Sequence, residues 1–397
     1  MSAVAAAVRA SGAVRGWPTI LLVVGAGIVS AFQVGKAPAA LETVRADLGL
    51  DLSTASWLLS AFAVVGAVSG IAIGIGADHV GARRMAVGGL LLQAAASVAG
   101  AAAGDATLLL ASRVVEGLGF LAVVVAAPAL VVAVAQDDRR SRAIAAWGTF
   151  MPVGIAGVMV AALLLPLVGW RGFWLGNAAI LAGYAGLLAV GTRGLATDAE
   201  PRPIGPDVAA VLAARGPWLL AGLFACFTGG FFALFGFLPT ILSERLAAGP
   251  GAASLLTALA VVVNVVGNLG CGWLLARGVG HRMLLVAGFV LVAAAGFGIV
   301  GVDLPGWLAY AVCLAVSAAV GVVPVALFDL APAQAPRPEL LGATIGFLMQ
   351  GNNVGLLAGP AVAGALAETA GWASVAPFIA VVAAVAIGLV FALRRRG

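Results

Sequence analysis

The sequence predicts an all-α membrane protein of twelve transmembrane helices arranged in two pseudo-symmetric six-helix bundles. Composition, the number of long apolar runs and one long polar break lead to this prediction. The chain is 63% hydrophobic and 9% charged, whereas soluble domains are about 45–50% apolar and about 25% charged. A soluble fold of this composition would expose large apolar patches and aggregate. Lipid is therefore the expected solvent for most of the chain.

Twelve apolar runs are long enough to cross a bilayer, which takes about 20 helical residues. They lack the short alternating segments, about 10 residues long, that build a membrane β-barrel. We predict spans, numbered in chain order, at residues 17–40, 54–76, 85–103, 107–134, 143–166, 172–191, 217–239, 254–275, 283–301, 306–330, 342–364 and 374–393.

One long polar break, residues 192–216, separates the sixth span from the seventh. It contains Asp198, Glu200 and several prolines. It predicts a cytoplasmic linker between an N-terminal bundle, residues 1–191, and a C-terminal bundle, residues 217–397.

The two halves also resemble each other. Arg83–Met85 opens the third span much as His281–Met283 opens the ninth, and Pro128 in the fourth span corresponds to Pro324 in the tenth. Internal repeats of this kind are typical of secondary transporters.

The positions of the basic residues predict the orientation. An N-terminus inside the cell puts most of the 21 Lys and Arg on the cytoplasmic side, as the positive-inside rule requires. Only Arg45, Arg171 and Arg245 then fall outside, and both termini are cytoplasmic. The sequence pI of about 9.8 therefore reflects topology, and no nucleic-acid partner is expected.

A short charged stretch, Gly-Ile-Gly-Ala-Asp-His-Val-Gly-Ala-Arg-Arg at residues 74–84, lies between the second and third spans. We call it the hinge and expect a tight cytoplasmic turn. It resembles the signature loop of the major facilitator superfamily, although His79 stands where that pattern usually has an arginine. The matching residues are Gly74, Asp78, Gly81, Arg83 and Arg84.

Further motifs extend this resemblance. Arg113-Val-Val-Glu-Gly-Leu-Gly resembles the family's fourth-span motif, and Trp170-Arg171 follows the fifth span. Within the superfamily, Gly35-Lys-Ala-Pro and Gln350-Gly-Asn-Asn resemble bacterial cyanate-permease-like (nitroimidazole-permease-like) transporters. The resemblance implies a monomeric multi-pass transporter of the bacterial cytoplasmic (inner) membrane, working by alternating access. Spans 3, 6, 9 and 12 would lie away from its pathway.

Ionisable residues within spans are costly and mark functional candidates. Lys36 in the first span is the only lysine of the chain, and a compact ammonium suits a small anion or release of a proton. Gln33 lies one turn earlier and joins it as a candidate substrate ligand. The alternative is that Lys36 snorkels toward the outer headgroups.

Arg113 and Glu116 lie three residues apart and share one face of the fourth span. We predict Arg113 as a substrate ligand and Glu116 as the proton-coupling group, because burial and a neighbouring arginine can switch a carboxylate. A static ion pair is the alternative. Together with Lys36 they sum to one positive charge, which favours an anionic substrate unless Asp329 compensates it.

Four amides of the second half are further candidate substrate ligands: Asn264, Asn268, Gln350 and Asn353. Such amides can instead hold helices together at about 0.6 kcal/mol each. By resemblance, Asp78, Arg83 and Arg84 form a gate that pairs with the start of a helix or with an acidic partner. The matching loop of the second half, residues 276–282, has no acid, so this latch is expected to be one-sided.

No enzyme motif, metal site or cofactor site is expected. His79 and His281 lie in loops, and Cys226, Cys271 and Cys313 lie inside apolar runs. The sequence thus predicts a secondary transporter of a small, anionic solute, with protons as a coupling ion. An exporter of hydrophobic or drug-like compounds and a non-transporting membrane receptor remain the alternatives.

Overall fold

The computed structural model describes residues 16–393 except 51, 136–138, 196–203, 239–240, 243–245 and 248–249. The predicted cytoplasmic termini, residues 1–15 and 394–397, lie outside the described residues. Arg245 and the acidic part of the linker, Asp198 and Glu200, also lie outside them.

Helices account for the regular structure of the described residues. The first half contains Trp17–Leu48, Leu52–Val80, Ala82–Ala101, Ala106–Val134, Arg140–Gly148, Phe150–Ala161 and Leu165–Gly191. The second half contains Arg215–Phe235, Pro250–Val262, Asn264–Ala276, His281–Gly296, Gly306–Val320, Val322–Gln334, Leu341–Ala370 and Val375–Ala392.

These helices cover all twelve predicted spans, so the all-α membrane fold is confirmed. Ten stretches of the described residues are long and apolar enough to cross a membrane. One of them, Arg140–Gly191, contains both the fifth and the sixth spans. The eleventh span is the 30-residue helix Leu341–Ala370, which is additional to those ten.

Two of the glycines with positive φ lie in tight turns between predicted spans. Gly81, with φ of 92°, lies between the helices of the second and third spans, as the hinge predicts. Gly169, with φ of 65°, breaks the helix Leu165–Gly191 between the fifth and sixth spans. Both conformations favour glycine, because a Cβ would clash with the backbone.

The linker is not entirely irregular. Its second part forms a helix, Ile204–Ala213, directly before the seventh span. Asp207 in the first turn of this helix is almost fully buried. The linker therefore packs against the bundles, where the sequence predicts only a polar connection.

The halves touch most closely where the second span meets the eleventh. A Cβ added at Gly74 would lie 2.5 Å from the Gly342 carbonyl oxygen and 2.7 Å from the Ala343 Cα. Gly70 and Gly346 approach each other in the same way one turn further on. Small residues allow such close backbone contact between membrane helices.

The fifth and eighth spans meet at the same end of the molecule. A Cβ added at Gly272 would lie 3.0 Å from the Ser141 carbonyl oxygen, and one at Gly148 would lie 2.8 Å from Asn268 Oδ1. Both contacts lie on the hinge side of the spans. The described structure is thus closed between the halves at the hinge end.

The eleventh span uses a second glycine face within its own half. Gly351, Gly355 and Gly359 face Ala221, Ala225 and Gly229 of the seventh span. One helix therefore has two closely packed faces, one against each half of the protein.

Candidate functional site

Lys36 lies in the interior of the first half. Its side chain is fully buried, and Nζ donates to Glu116 Oε1 at 2.5 Å and to Ser97 Oγ at 2.7 Å. The ammonium also lies 4.7 Å from the centroid of the Trp174 ring, close enough for a cation–π interaction. The snorkelling interpretation is wrong, because the ammonium points into the bundle and has no access to headgroups.

Arg113 holds the other side of the same carboxylate. Its Nη1 pairs with Glu116 Oε2 and also donates to the Gln33 carbonyl oxygen at 2.9 Å. Its Nε donates to the Leu58 carbonyl oxygen at 3.1 Å. Lys36, Arg113 and Glu116 thus form a buried cluster, which we call the charge triad, with each carboxylate oxygen bound to one cation.

The triad contacts the third and sixth spans, which the family resemblance predicts to lie away from the transport pathway. Ser97 is on the third span and Trp174 on the sixth, and the Ser97 hydroxyl donates to the Trp174 carbonyl oxygen at 3.0 Å. Gln93, one turn before Ser97, accepts a 2.9 Å hydrogen bond from Ser30 of the first span. Gln93 and Ser97 are four residues apart and so share one face of the third span. This spacing was the sequence feature that could have indicated a polar contact of that span.

Gln33 lies on the same helix as Lys36, one turn earlier, and its side chain is fully buried. Neither its amide nitrogen nor its amide oxygen has a hydrogen-bond partner in the described part of the chain. A buried unpaired amide is costly, about 1–3 kcal/mol, so this side chain is available to water or to a solute. Its role as a substrate ligand stays a prediction.

The predicted amides of the second half lie away from the triad, and two of them bind within their own half. Asn264 donates to the Ser317 carbonyl oxygen at 2.8 Å, and Asn268 donates to Asn264 Oδ1 at 2.9 Å. The Asn268 side-chain oxygen has no partner among the described residues.

The other two amides lie where the second and eleventh spans meet. Gln350 Oε1 accepts from the Ile71 backbone N–H at 3.4 Å, and Asn353 donates to the Met349 carbonyl oxygen at 2.7 Å. In this conformation Asn264 and Gln350 join neighbouring helices, whereas Asn268 and Asn353 donate within their own helices. Substrate contact by all four stays a prediction.

The hinge contacts the other half through Asp78. Its two carboxylate oxygens accept hydrogen bonds from the Gly342 and Ala343 backbone N–H groups, each at 2.8 Å. These N–H groups belong to the first turn of the eleventh span, where a helix dipole favours a negative charge. The expected pairing of Asp78 with the start of a helix is therefore present.

The two hinge arginines behave differently from the expectation. Arg83 donates to the Ala189 carbonyl oxygen at 2.6 Å and to Thr192 Oγ1 at 3.1 Å. It thus covers the end of the sixth-span helix in its own half, where a cation complements the exposed carbonyls. Arg84 is exposed. Among the described residues neither arginine forms an ion pair with an acid, so their part in the expected gate stays a prediction.

The second half does have an acid at this end, although its loop sequence lacks one. Asp329, at the end of the tenth span, lies 2.7 Å from His281 Nε2 and accepts from Ser141 Oγ at 3.1 Å. Ser141 belongs to the first half, so Asp329 joins the two halves. Each half therefore supplies an acid to the contact between the halves at this end, in contrast to the one-sided arrangement expected, and Asp329 does not compensate the charge triad.

The linker helix adds a third connection at the hinge end. Asp207 accepts a hydrogen bond from Arg337 Nη2 at 2.6 Å, and its other oxygen lies 4.0 Å from His79 Nε2. Arg337 lies between the tenth and eleventh spans, whereas His79 is the hinge residue that departs from the family pattern. Three aspartates thus lie between the halves at this end.

No group of three metal-binding side chains occurs in the described residues. The three cysteines are free, with Cys271 and Cys313 buried and Cys226 half-buried. Each is surrounded by apolar helices, as the sequence indicates.

Two six-helix halves that close over one end, with a buried charge triad in one of them, define a membrane transporter of the two-bundle type. The sequence profile of the Major Facilitator Superfamily matches residues 23–340 and 221–397. The chain belongs to this superfamily, whose members bind small-molecule substrates within the membrane.

Known bacterial relatives match part of the chain. The methylenomycin A resistance protein of Bacillus subtilis is 26% identical over 174 residues, which cover 42% of this chain and 37% of that protein. The puromycin resistance protein pur8 of Streptomyces alboniger is 28% identical over 161 residues, 40% of this chain and 32% of that protein. The similarity thus spans about a third of the length of each relative.

Solved structures match nearly the whole chain. The human organic anion transporter MFSD10 (TETRAN) superposes with a TM-score of 0.71 at 16% identity, covering 94% of this chain and 99% of that one. The Escherichia coli fucose:proton symporter FucP superposes with a TM-score of 0.73 at 15% identity, covering 96% and 99%. At these identities the likeness shows the fold alone.

Proposed function

We propose that the chain is a secondary active transporter of the bacterial cytoplasmic membrane, a proton-coupled symporter that moves a small anionic solute by alternating access. The charge triad supports this proposal best. It holds two cations and one carboxylate inside the membrane, which leaves one positive charge in a medium where charge is expensive. The cyanate-permease-like resemblance points to the same class of substrate.

An anion would be attracted to the first half by this surplus. Lys36 and Arg113 supply the charge, and Gln33 supplies an unpaired amide one turn away. In the described conformation both cations are bound to Glu116, so substrate contact requires that the carboxylate releases at least one of them. Asn264, Asn268, Gln350 and Asn353 would contribute hydrogen bonds from the second half as it moves.

Coupling to protons requires the negative charge of Glu116. The carboxylate bridges both cations, so its charge decides how firmly they are held. Glu116→Gln would keep the shape of the side chain and remove that charge. We expect the variant to bind and exchange solute but to lose accumulation driven by a pH gradient.

We assign gating to the hinge, residues 74–84. Asp78 holds the first turn of the eleventh span across the boundary between the halves. A carboxylate at a helix start gains about 0.3–1 kcal/mol from the helix dipole, and a contact of such modest strength suits a gate that opens in every cycle.

Export of hydrophobic or drug-like compounds is the second candidate. The resistance proteins among the relatives favour it, and so does a stripe of phenylalanines on the seventh span. Phe231 stacks on Phe235 with ring centroids 4.0 Å apart and on Phe227 at 5.7 Å. An apolar solute could pass along such a surface, whereas an anion would gain nothing from it.

Proteoliposomes containing the full chain separate these functions. The probes are of two kinds: inorganic anions and small carboxylates test the anion proposal, and puromycin tests the exporter. Each is measured with and without an imposed pH gradient. The anion proposal requires electrogenic or pH-driven uptake of at least one anion, lost in Lys36→Ala. As a control, Arg171→Ala removes an equally charged residue at the membrane surface and should retain uptake.

Other results would contradict the proposal. Flux of the drug-like compounds alone would favour the exporter, and binding without any flux would favour a membrane receptor. Unchanged anion affinity in a well-folded Lys36→Ala variant would exclude Lys36 from the substrate site.

A further inference from the structure

The charge triad raises the question of which atom carries the coupled proton. Arg113 cannot lose a proton in a protein, because its guanidinium remains charged at any accessible pH. Protonation of Glu116 would leave two buried cations without a counter-ion. Loss of a proton from Lys36 would instead leave Arg113 and Glu116 as a neutral pair.

We propose that Lys36, rather than Glu116, is the proton-carrying group of the transporter, with Glu116 as its fixed counter-ion. The inference rests on the proposed proton-coupled function and names the atom that performs it. The Nζ–H bond breaks with its electron pair left on nitrogen, and the proton passes to water on the side to which the site is open. Reprotonation from water on the other side completes the cycle.

The surroundings of Nζ can accommodate both forms. The ammonium form donates to Glu116 Oε1 and Ser97 Oγ and lies over the Trp174 ring. In the amine form, Ser97 can turn its hydroxyl from the Trp174 carbonyl oxygen to the nitrogen lone pair, because a hydroxyl is both donor and acceptor. Ser97 thus acts as a positioning residue in either state.

Unpaired polar groups lie close to this lysine in the chain and in the fold. Gln33, one helical turn from Lys36, has no partner for either amide atom in the described structure, and neither has the indole N–H of Trp174. Buried polar groups of this kind normally bind ordered water. Water at these groups would give the proton a first acceptor.

Arg113 and Glu116 of the fourth span, Ser97 of the third and Trp174 of the sixth are the charged and polar side chains that face Nζ. The fifth span approaches next to Lys36 through the apolar Val158, which lies against Gly35. No second carboxylate faces the ammonium from these described elements. Glu116 is therefore the one carboxylate that balances the ammonium among these described elements.

A single lysine makes the test direct. The full chain, grown with lysine labelled at ¹³Cε and ¹⁵Nζ and placed in lipid nanodiscs, gives one side-chain NMR signal, which reports ammonium or amine. We expect the signal to change from the ammonium to the amine position between about pH 5 and pH 10, the range in which buried lysines lose their proton. In Glu116→Gln the ratio of amine to ammonium should rise at every pH.

Ser97→Ala provides a second variant that keeps all three charges. The ammonium loses a charge-assisted hydrogen bond and the amine only a weaker neutral one, so the amine-to-ammonium ratio at a given pH should rise about threefold or more. A signal that stays at the ammonium position up to pH 10 in the wild type and in both variants would overturn the inference. The NMR measurement needs no transported solute. It can therefore contradict the role of Lys36 while the uptake assay supports transport, or support that role while no uptake is found.

Lys36→Arg tests the same inference in proteoliposomes through a permanent cation. The variant keeps a cation beside Glu116 that cannot release its proton, so the ratio of pH-driven accumulation to anion exchange, both measured in the variant, should fall by at least about tenfold. Retained pH-driven accumulation would assign the proton to Glu116. Absence of pH-driven uptake in the wild type would instead refute the proposed function itself.

Discussion

Gly74 is where the hinge-end closure is most sensitive to a small change. In Gly74→Ala the new Cβ would lie 2.5 Å from the Gly342 carbonyl oxygen and 2.7 Å from the Ala343 Cα. A carbon–oxygen contact needs about 3.3 Å and a carbon–carbon contact about 3.5–4.0 Å. Both neighbours are backbone atoms, so the second and eleventh spans must move apart by about 1 Å.

The size of the effect follows from the cost of overpacking. Forcing one extra methyl group into a packed interface typically costs about 1–3 kcal/mol. This cost applies only to the conformation that is closed at the hinge end, because the two spans separate when that end opens. The equilibrium should therefore shift about 5- to 150-fold toward the conformation open at the hinge end.

Pulsed EPR distance measurement detects this shift. Spin labels at Arg193 and Met283, which are both exposed and lie in different halves at the hinge end, would be placed in a chain without its three native cysteines. Wild type should give mainly the shorter distance and Gly74→Ala mainly the longer one.

Gly88→Ala is the matched control. Gly88 is also a helical glycine of the first half, but a Cβ there meets nothing within 4 Å. Both variants gain the same helix propensity, about 0.5–1 kcal/mol, so a difference between them reports the contact. An unchanged distance distribution in Gly74→Ala, with normal folding, would refute the view that this contact closes the hinge end.

Three further predictions follow from the polar contacts. Asp78→Asn keeps one acceptor oxygen for two backbone N–H groups and loses the charge at the helix start, about 0.3–1 kcal/mol. It should slow turnover and lengthen the same EPR distance while solute affinity is unchanged, and a loss of affinity would mean that Asp78 is not a gate. Hydrogen bonds from the side chains of Arg171 and Trp170 hold the pKa of Asp47 below its usual range. The pair stabilises the folded protein fully above the pKa that Asp47 has in the unfolded chain. This stabilisation disappears as the pH falls through the lower pKa of Asp47 in the folded protein. The difference in Tm between wild type and Arg171→Gln should therefore be constant above about pH 4 and shrink below it, and a difference independent of pH would exclude this pair as its cause. Arg337→Gln leaves the buried Asp207 carboxylate without its arginine, so amide exchange in Ile204–Ala213 should become up to about fivefold faster, corresponding to about 1 kcal/mol. Exchange at the wild-type rate would show that the arginine does not hold the linker helix.

The fold was predictable because lipid imposes strong constraints on sequence. Each membrane helix must satisfy its own backbone, so its length and apolar character can be read from the chain. Even the turns at Gly81 and Gly169 fall where the predicted spans meet.

The charge triad was only partly predictable. The spacing of Arg113 and Glu116 put them on one helix face, and they do pair. The direction in which Lys36 points could not be predicted, because it depends on how the first span is rotated against its neighbours. Ser97 and Trp174 lie 61 residues or more from Lys36 in the chain, and the spacing of Gln93 and Ser97 indicates a polar face on the third span without linking it to Lys36.

The connections at the hinge end were harder still. The second-half loop has no acid, and Asp329 supplies one from the end of another helix. Arg83 matches a family motif, yet its partners are a carbonyl and a hydroxyl at the end of the sixth span. A motif predicts which residue types recur, whereas their partners depend on tertiary packing.

The two glycine faces of the eleventh span have a consequence for natural variation. A larger side chain at Gly351, Gly355 or Gly359 would clash with the seventh span, which belongs to the same half as the eleventh. Such a variant would lower the yield of folded protein. Added bulk at Gly342 or Gly346 would strike the second span only while the hinge end is closed. Variants a few residues apart on one helix should therefore separate into those that reduce abundance and those that leave abundance intact but alter the rate of the cycle.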